Sequence, residues 1–367
     1  MHHLKDVQEY GQSIWLDYIR RNLLTSGELK QLVAEGLRGV TSNPTIFQKA
    51  IAQSNDYDEA IHALLKANPA INVPNLYEHL AVEDIQMACN ILRPVYDESN
   101  GTDGFVSLEV SPHLAYDTDS TIAEARHLWQ VVDRPNLMIK VPATPQGVPA
   151  IETLIAEGTN VNVTLIFSLE QYDEIAHAYI RGVAQNSNPQ RVASVASFFV
   201  SRIDTYTDME LENIGTPEAL NLRGQAAVAS SKLAYRRFRE VFFGEEFASE
   251  RQRSARVQRA LWGSTSTKNP AYPDLLYVEE LIGPDTVNTL PPETIDAFRD
   301  HGKIRSTLLE GIETAEQVLA DLQKAGVNMD NITEQLQEDG VKAFADSFDQ
   351  LLSTLEEKRQ KVLAKHA

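Results

Sequence analysis

Residues 137–167 read LMIKVPATPQGVPAIETLIAEGTNVNVTLIF. Two short apolar runs, Leu137 to Val141 and Val161 to Phe167, flank a helical pattern over 149–157 that stops at Gly158. Neither run alternates cleanly between apolar and polar residues. Strands of that kind are buried on both faces, as in a parallel sheet covered by helices. One charged residue, Lys140, sits within the first run.

The same unit recurs in both directions along the chain. Apolar runs centre near Trp15, Val40, Val106, Ile139, Val163, Val195, Leu261 and Val287. Their limits read as 104–110, 191–200, 256–263 and 286–290 where they are clearest. Between them lie helical spacings, such as Tyr57, Ala60, Ile61, Leu64 and Leu65, or Ile85, Ala88, Cys89 and Leu92. A longer helical region is expected over about 204–243. Thr25-Ser26-Gly27-Glu28 reads as a capping box, with Gly36 as a stop. Eight strand–helix units predict a single (β/α)8 barrel spanning residues 1–367 as one domain. Val341, Phe344, Phe348, Leu351, Leu352 and Leu355 predict an additional C-terminal helix packed on the barrel. The competing fold is an open doubly wound sheet. It is disfavoured because no Gly-x-Gly-x-x-Gly or phosphate-loop motif follows any strand. The Pro-rich stretch 268–285 reads as a loop over one face.

Composition restricts the function. Of 367 residues, 52 are acidic and 33 basic, giving a formal charge of −19. Such a surface repels nucleic-acid phosphates and anionic lipid, so neither nucleic acid nor membrane is an expected partner. A local group of Arg and Lys can still bind a small anion. Cys89 is the single cysteine, which excludes an intrachain disulfide and fits a buried, inert thiol. The N-terminal residues carry no signal-type apolar run, and no stretch approaches the ~18–20 apolar residues of a membrane span. A cytoplasmic location is the expectation. Monomer and homodimer both remain open.

Barrel chemistry is carried where strands end and loops begin. Polar residues stand at several such places: Asp17, Asn43, Glu109, Lys140, Asn162 and Thr164, Ser197, and Arg202. Each alone has a structural explanation, as a solvated loop residue, an ion-pair partner or a turn former. Together they would point into one pocket, and a buried Lys with Asp and Glu calls for a reason. Amine catalysis supplies one. A neutral Lys amine attacks a ketone, and the resulting iminium withdraws electrons for carbon–carbon cleavage. At a pKa of ~10.4 only about 1 Lys in 1,000 is neutral at pH 7, and lowering it by ~3 units needs ~4 kcal/mol. The apolar neighbours Ile139 and Val141 would contribute. Carboxylates would oppose, so they are expected to stand slightly offset or partly protonated.

Four segments carry a resemblance. Val40-Thr-Ser-Asn-Pro-Thr45, Leu137-Met-Ile-Lys-Val-Pro-Ala-Thr144, Asn162-Val-Thr-Leu-Ile-Phe-Ser168 and Ser197-Phe-Phe-Val-Ser-Arg202 resemble, in order and spacing, those of the transaldolase family. The similarity runs from about Ser13 to the C-terminal helix and fits the larger bacterial or plant-like subgroup. Some members carry a fused isomerase domain, which this chain is too short to hold. The resemblance implies transfer of a dihydroxyacetone unit from sedoheptulose 7-phosphate to glyceraldehyde 3-phosphate, without metal or organic cofactor. It implies an imine on Lys140, proton transfer at the C4 hydroxyl by Asp17, and Glu109 acting through a water held by Thr164. Asn43 and Asn162 would bind the dihydroxyacetone fragment, Thr41 and Ser197 would line the site, and Arg202 would bind phosphate. Where the best-known branch has Ser-Phe-Arg, this chain has Ser264-Thr265-Ser266-Thr267-Lys268. Ser266 and Lys268 are therefore expected at the substrate, Lys268 as a point charge rather than a bidentate fork. The neighbours of Asp17 also differ from the Asp-Thr-Gly pattern. Relatives that cleave fructose 6-phosphate outright have Tyr where this chain has Phe199, so Phe199 implies transfer. Two alternatives stay open: another Schiff-base aldolase, and a sugar-phosphate-binding protein without catalysis.

Overall fold

The computed structural model describes residues 3–52 and 54–364. Eight parallel strands close into a barrel in sequence order. They are β1 (Gln12–Asp17), β2 (Gly39–Thr41), β3 (Phe105–Glu109), β4 (Leu137–Pro142), β5 (Val161–Ile166), β6 (Ser194–Phe199), β7 (Arg259–Gly263) and β8 (Thr286–Leu290). β1 pairs with β2 on one side and β8 on the other, so the sheet has no free edge.

Period two along each strand sorts the side chains. One set faces the surrounding helices and joins the main apolar core, including Ile14, Val106, Ile139, Val163, Phe198 and Trp262. The other set faces inward. Its lowest layer is apolar: Trp15, Phe105, Met138, Val195, Leu261 and Val287 form a separate buried cluster with Ala193. Two residues further along the same strands stand Asp17, Ser107, Lys140, Ser197, Gly263 and Thr289, with Asn162 of β5 beside Lys140 in register. The barrel is thus stoppered at the N-terminal end of its strands and polar at the other end. Gly39 permits the stopper, since a Cβ there would lie 2.5 Å from the Trp15 ring.

The C-terminal helix Met329–Ala364 is longer than its apolar spacing indicated. It crosses the polar end of the barrel. Gln337 Nε2 donates to the carbonyl oxygens of Ala143 (2.7 Å) and Leu165 (3.4 Å). Thr45 Oγ1 bonds to Ser347 Oγ at 2.9 Å, and the Phe348 ring meets Tyr77 edge-on. Contact is close at Gly340, where a Cβ would come within 2.9 Å of Leu165 Cδ2. Leu165 itself has φ 61° and lies in the irregular stretch of β5 between Val163 and Ile166.

Some local expectations need correction. Thr25 does not cap the helix Glu28–Glu35. It closes the preceding helix Arg21–Thr25, its hydroxyl donating to the Arg21 carbonyl, and Gly27 at φ 92° opens the next one without a side-chain cap. The helical region expected over about 204–243 consists of three helices, Val200–Ile214, Pro217–Leu220 and Ala226–Phe243, with Gly215 and Gly224 at positive φ between them. The 268–285 loop contains a short helix, Leu276–Glu279. Cys89 is buried, and burial pushes its thiol up to about 12. No described helix is long and apolar enough to cross a membrane.

Candidate active site

A cavity of about 920 Å³ opens at the polar end of the barrel. Asp17, Thr41, Asn43, Lys140, Asn162, Thr164, Ser197, Phe199, Arg202, Ser266 and Lys268 all line it. Eleven of the twelve residues singled out by sequence therefore meet at one place. Glu109 stands apart. It lines a neighbouring cavity of about 340 Å³, and Asn43 borders both.

The connection is Lys140. Its side chain is nearly fully buried, and Nζ lies 3.1 Å from Glu109 Oε2. Nζ also donates to the Ser42 carbonyl oxygen at 3.0 Å and lies 5.8 Å from the centre of the Phe344 ring. The strand register sets this up, since Glu109 on β3 pairs with Lys140 on β4, and Lys140 with Asn162 on β5. The expectation of an offset carboxylate is not met at Glu109. Burial does push its carboxyl above the ordinary value, against the pull of Lys140.

Asp17 ends β1 on the same wall. Its carboxylate accepts from Thr41 Oγ1 at 2.7 Å, and Thr41 Oγ1 also contacts Thr289 Oγ1 at 2.7 Å. Burial raises the Asp17 carboxyl as well, opposed by Lys140, by the Thr41 hydrogen bond and by Lys268. Asn162 is held from two sides. Its Oδ1 accepts from Ser197 Oγ at 2.6 Å and its Nδ2 donates to Ser107 Oγ at 3.0 Å. Asn43 Oδ1 accepts from Ile46 N at 2.9 Å at the start of the helix Pro44–Ala52. The Thr164 hydroxyl is buried with no hydrogen-bond partner among the described residues. A buried hydroxyl in that condition is an available site for water or substrate.

Arg202 does not end β6. It lies in the first turn of the helix Val200–Ile214 that follows, its guanidinium 5.2 Å from the centre of the Phe199 ring. No carboxylate pairs with Arg202 among the described residues, and burial pulls it below its ordinary pKa. A cation held that way is a ready anion site. Lys268 is exposed at the rim and bonds to Ser266 Oγ.

Sequence reading missed four participants: Ser107, Thr289, Phe344 and the Ser42 carbonyl. Ser107 and Thr289 had a signal, since each stands two residues beyond a member of the apolar layer. A carbonyl group has no side-chain signature. Phe344 lies 204 positions from Lys140 and reads only as one apolar residue on a helix.

The transaldolase/fructose-6-phosphate aldolase family model matches residues 14–355. The chain belongs to the transaldolase/fructose-6-phosphate aldolase family. It is 49% identical over 356 residues to a transaldolase of Thiobacillus denitrificans, covering 96% of this chain and 99% of that one. It is 44% identical to a Trichodesmium erythraeum transaldolase, with 98% of each chain covered. A Thermobifida fusca transaldolase is 46% identical over 355 residues, covering 95% and 96%. The family match takes in all of β2 to β8 and the part of β1 that carries Asp17. In this transaldolase-family chain, the described residues hold no cluster of three or more His, Cys, Asp or Glu arranged for a metal ion.

Proposed function

We propose that this chain is a transaldolase that moves a dihydroxyacetone unit from sedoheptulose 7-phosphate to glyceraldehyde 3-phosphate through an imine on Lys140. The supporting observation is the buried Lys140–Glu109 pair at 3.1 Å, set in the polar layer of the barrel. Glu109, its carboxyl raised by burial and 3.1 Å from Nζ, is placed to take the Lys140 proton. That transfer yields the neutral amine the chemistry needs. Attack on the C2 carbonyl forms a carbinolamine, and Glu109 returns its proton to the departing hydroxyl, which leaves as water. Thr164, with its unpartnered hydroxyl, would hold that water.

Asp17 then accepts the C4 hydroxyl proton. The C3–C4 bond breaks, its electron pair flows into the iminium, and an aldose phosphate leaves. The enamine left on Lys140 attacks the carbonyl carbon of the second aldose, and Asp17 returns the proton to the new alkoxide. Water, activated by Glu109, hydrolyses the iminium. Asn43 and Asn162 would fix the dihydroxyacetone hydroxyls, with Thr41 and Ser197 holding Asp17 and Asn162 in place. Arg202, with Ser266 and Lys268 at the rim, would bind the phosphate.

Phe199 favours transfer over plain cleavage. It presents hydrocarbon to the cavity and meets Phe167 and Phe344 at 5.7 and 6.3 Å. It has no hydroxyl to hold a water against the enamine. Turnover of fructose 6-phosphate should accordingly require erythrose 4-phosphate, and acceptor-independent release of dihydroxyacetone would establish an aldolase instead. The same reading places the enzyme in the cytoplasm, as a monomer or homodimer whose site is complete in one chain. Borohydride reduction in the presence of fructose 6-phosphate tests the mechanism. Peptide mass analysis should find a dihydroxyacetone-derived adduct on Lys140, and an active enzyme without that adduct would refute the scheme.

A further inference from the structure

The helix Val200–Ile214 carries Arg202 at its start, and Asp204 and Asp208 four residues apart further along. Both aspartates are buried, and each accepts one tyrosine hydroxyl from the segment after β7. Asp204 Oδ2 takes Tyr277 at 2.8 Å, and Asp208 Oδ2 takes Tyr272 at 2.6 Å. Their other oxygens accept backbone N–H groups, from Ala227 at 2.7 Å and Gly224 at 2.9 Å. Tyr272 lies hard against the backbone there, since a Cβ on Gly224 would fall 2.8 Å from its Cζ. At the base of the same segment, Ser201 N donates to the Ser264 carbonyl oxygen at 3.0 Å and the two hydroxyls meet at 3.0 Å.

Tyr272 is tied back to the residues on either side of Lys268. Thr267 Oγ1 donates to the carbonyl oxygens of Pro273 (2.9 Å) and Asp274 (3.0 Å), and Tyr272 N donates to the Asn269 carbonyl at 3.1 Å. Pro270 and Pro273 stiffen the turn. A rim lysine on a long loop would ordinarily sample many positions and lose entropy on binding an anion. Here the loop is fastened to the helix that presents the other cation.

We propose that Tyr272 and Tyr277, through Asp208 and Asp204, are positioning residues that hold Lys268 at a set distance from Arg202, so that the two cations grip one phosphate. This rests on the phosphate roles of Arg202 and Lys268 given above. Neither tyrosine touches substrate. Both set specificity for phosphorylated aldoses.

The test compares wild type, Tyr272→Phe, Lys268→Ala and the double variant, with sedoheptulose 7-phosphate as donor. Acceptors are D-glyceraldehyde 3-phosphate and unphosphorylated D-glyceraldehyde. The kcat/KM for an acceptor reports only the half-reaction it enters, which isolates its own phosphate. Tyr272→Phe should lower kcat/KM for the phosphorylated acceptor about 3- to 10-fold, the size of coupling expected for linked groups, with no change for glyceraldehyde. Its effect should vanish in the Lys268→Ala background. Equal losses on both acceptors would overturn the positioning role, as would an additive double variant. If Lys268→Ala leaves both acceptors unchanged, the phosphate role of Lys268 fails and the positioning role with it. Melting temperatures of all four proteins separate these outcomes from unfolding, and Asp208→Asn supplies a second variant at the same junction.

Discussion

At the residue scale, Lys140 has a proton acceptor at Asp17 within its own cavity and a proton shuttle at Glu109, which lines the neighbouring one. Both carboxyls are raised by burial. Asp17 must be ionised to take the C4 hydroxyl proton, so activity falls as pH drops through its raised pKa. The acid limb of the kcat/KM profile should therefore lie above the ~4 of an ordinary carboxylate. A limb at or below that value would contradict the arrangement. Asp17→Asn should cost about 10²–10⁴-fold in kcat, as for loss of a general base, while borohydride still traps Lys140 with dihydroxyacetone. Glu109→Gln is expected to behave differently: trapping itself should slow, because the amine loses its proton acceptor. These residues were readable because each is a polar exception in an apolar strand. Thr289 carried a weaker signal, for Thr in Thr-Val-Asn-Thr-Leu is also an ordinary strand former.

At the scale of elements, the eight strands were legible because their apolar runs are buried on both faces and short. Period two then separated the stopper from the polar layer. The capping-box reading failed since a Ser/Thr-x-x-Glu pattern cannot tell the end of one helix from the start of the next. What the C-terminal helix does at the site was also illegible. Val341 to Leu355 announced an amphipathic helix, yet nothing local says that Gln337 would cover the ends of β4 and β5. Gly340 is one close approach of this helix, with Arg202 Nη1 3.7 Å from where its Cβ would stand. Gly340→Val should destabilise the fold by about 1–3 kcal/mol through overpacking against Leu165. It should also raise KM for phosphorylated sugars by shifting Arg202. Chemical denaturation and a donor titration check the two halves. An unchanged KM would show that helix and arginine are independent.

At the scale of the whole molecule, we propose that the barrel and its C-terminal helix unfold as one domain, giving coincident transitions by fluorescence and circular dichroism. Buried polar junctions tie distant parts together. Asp84 is fully buried, accepting from Arg21 Nε and from Tyr57 OH at 2.8 Å. It fastens the chain just after Asp17 to the long helix Val73–Glu98. Asp84→Ala leaves Arg21 only the half-exposed Glu83, 2.8 Å away, and should cost about 3 kcal/mol. Asp204 makes the pH dependence visible. Burial pushes its carboxyl up to about 6, above the ~3.9 of an unfolded Asp. A raised pKa stabilises the fold fully below ~3.9, and that contribution is lost as pH rises through about 6. Asp204→Asn should therefore lessen the slope of the stability profile between about pH 4 and pH 6, where Asp84, also raised to about 6, supplies a further part. A wild-type slope surviving in the variant would assign it elsewhere. None of these long-range pairs can be read from one sequence, since each joins residues 27 to 73 positions apart.

The stoppered base of the barrel governs traffic as well as stability. With Trp15, Phe105 and Met138 filling the lower layer, the base of the barrel is closed and the cavity opens at the polar end. The departing aldose and the arriving one must use it in turn. The reaction is thus bound to alternate, one sugar out before the next comes in, and the two aldoses compete for the same empty enamine-bearing enzyme. Initial-rate plots should give parallel lines, and excess erythrose 4-phosphate should send the unit straight back to the sugar it left.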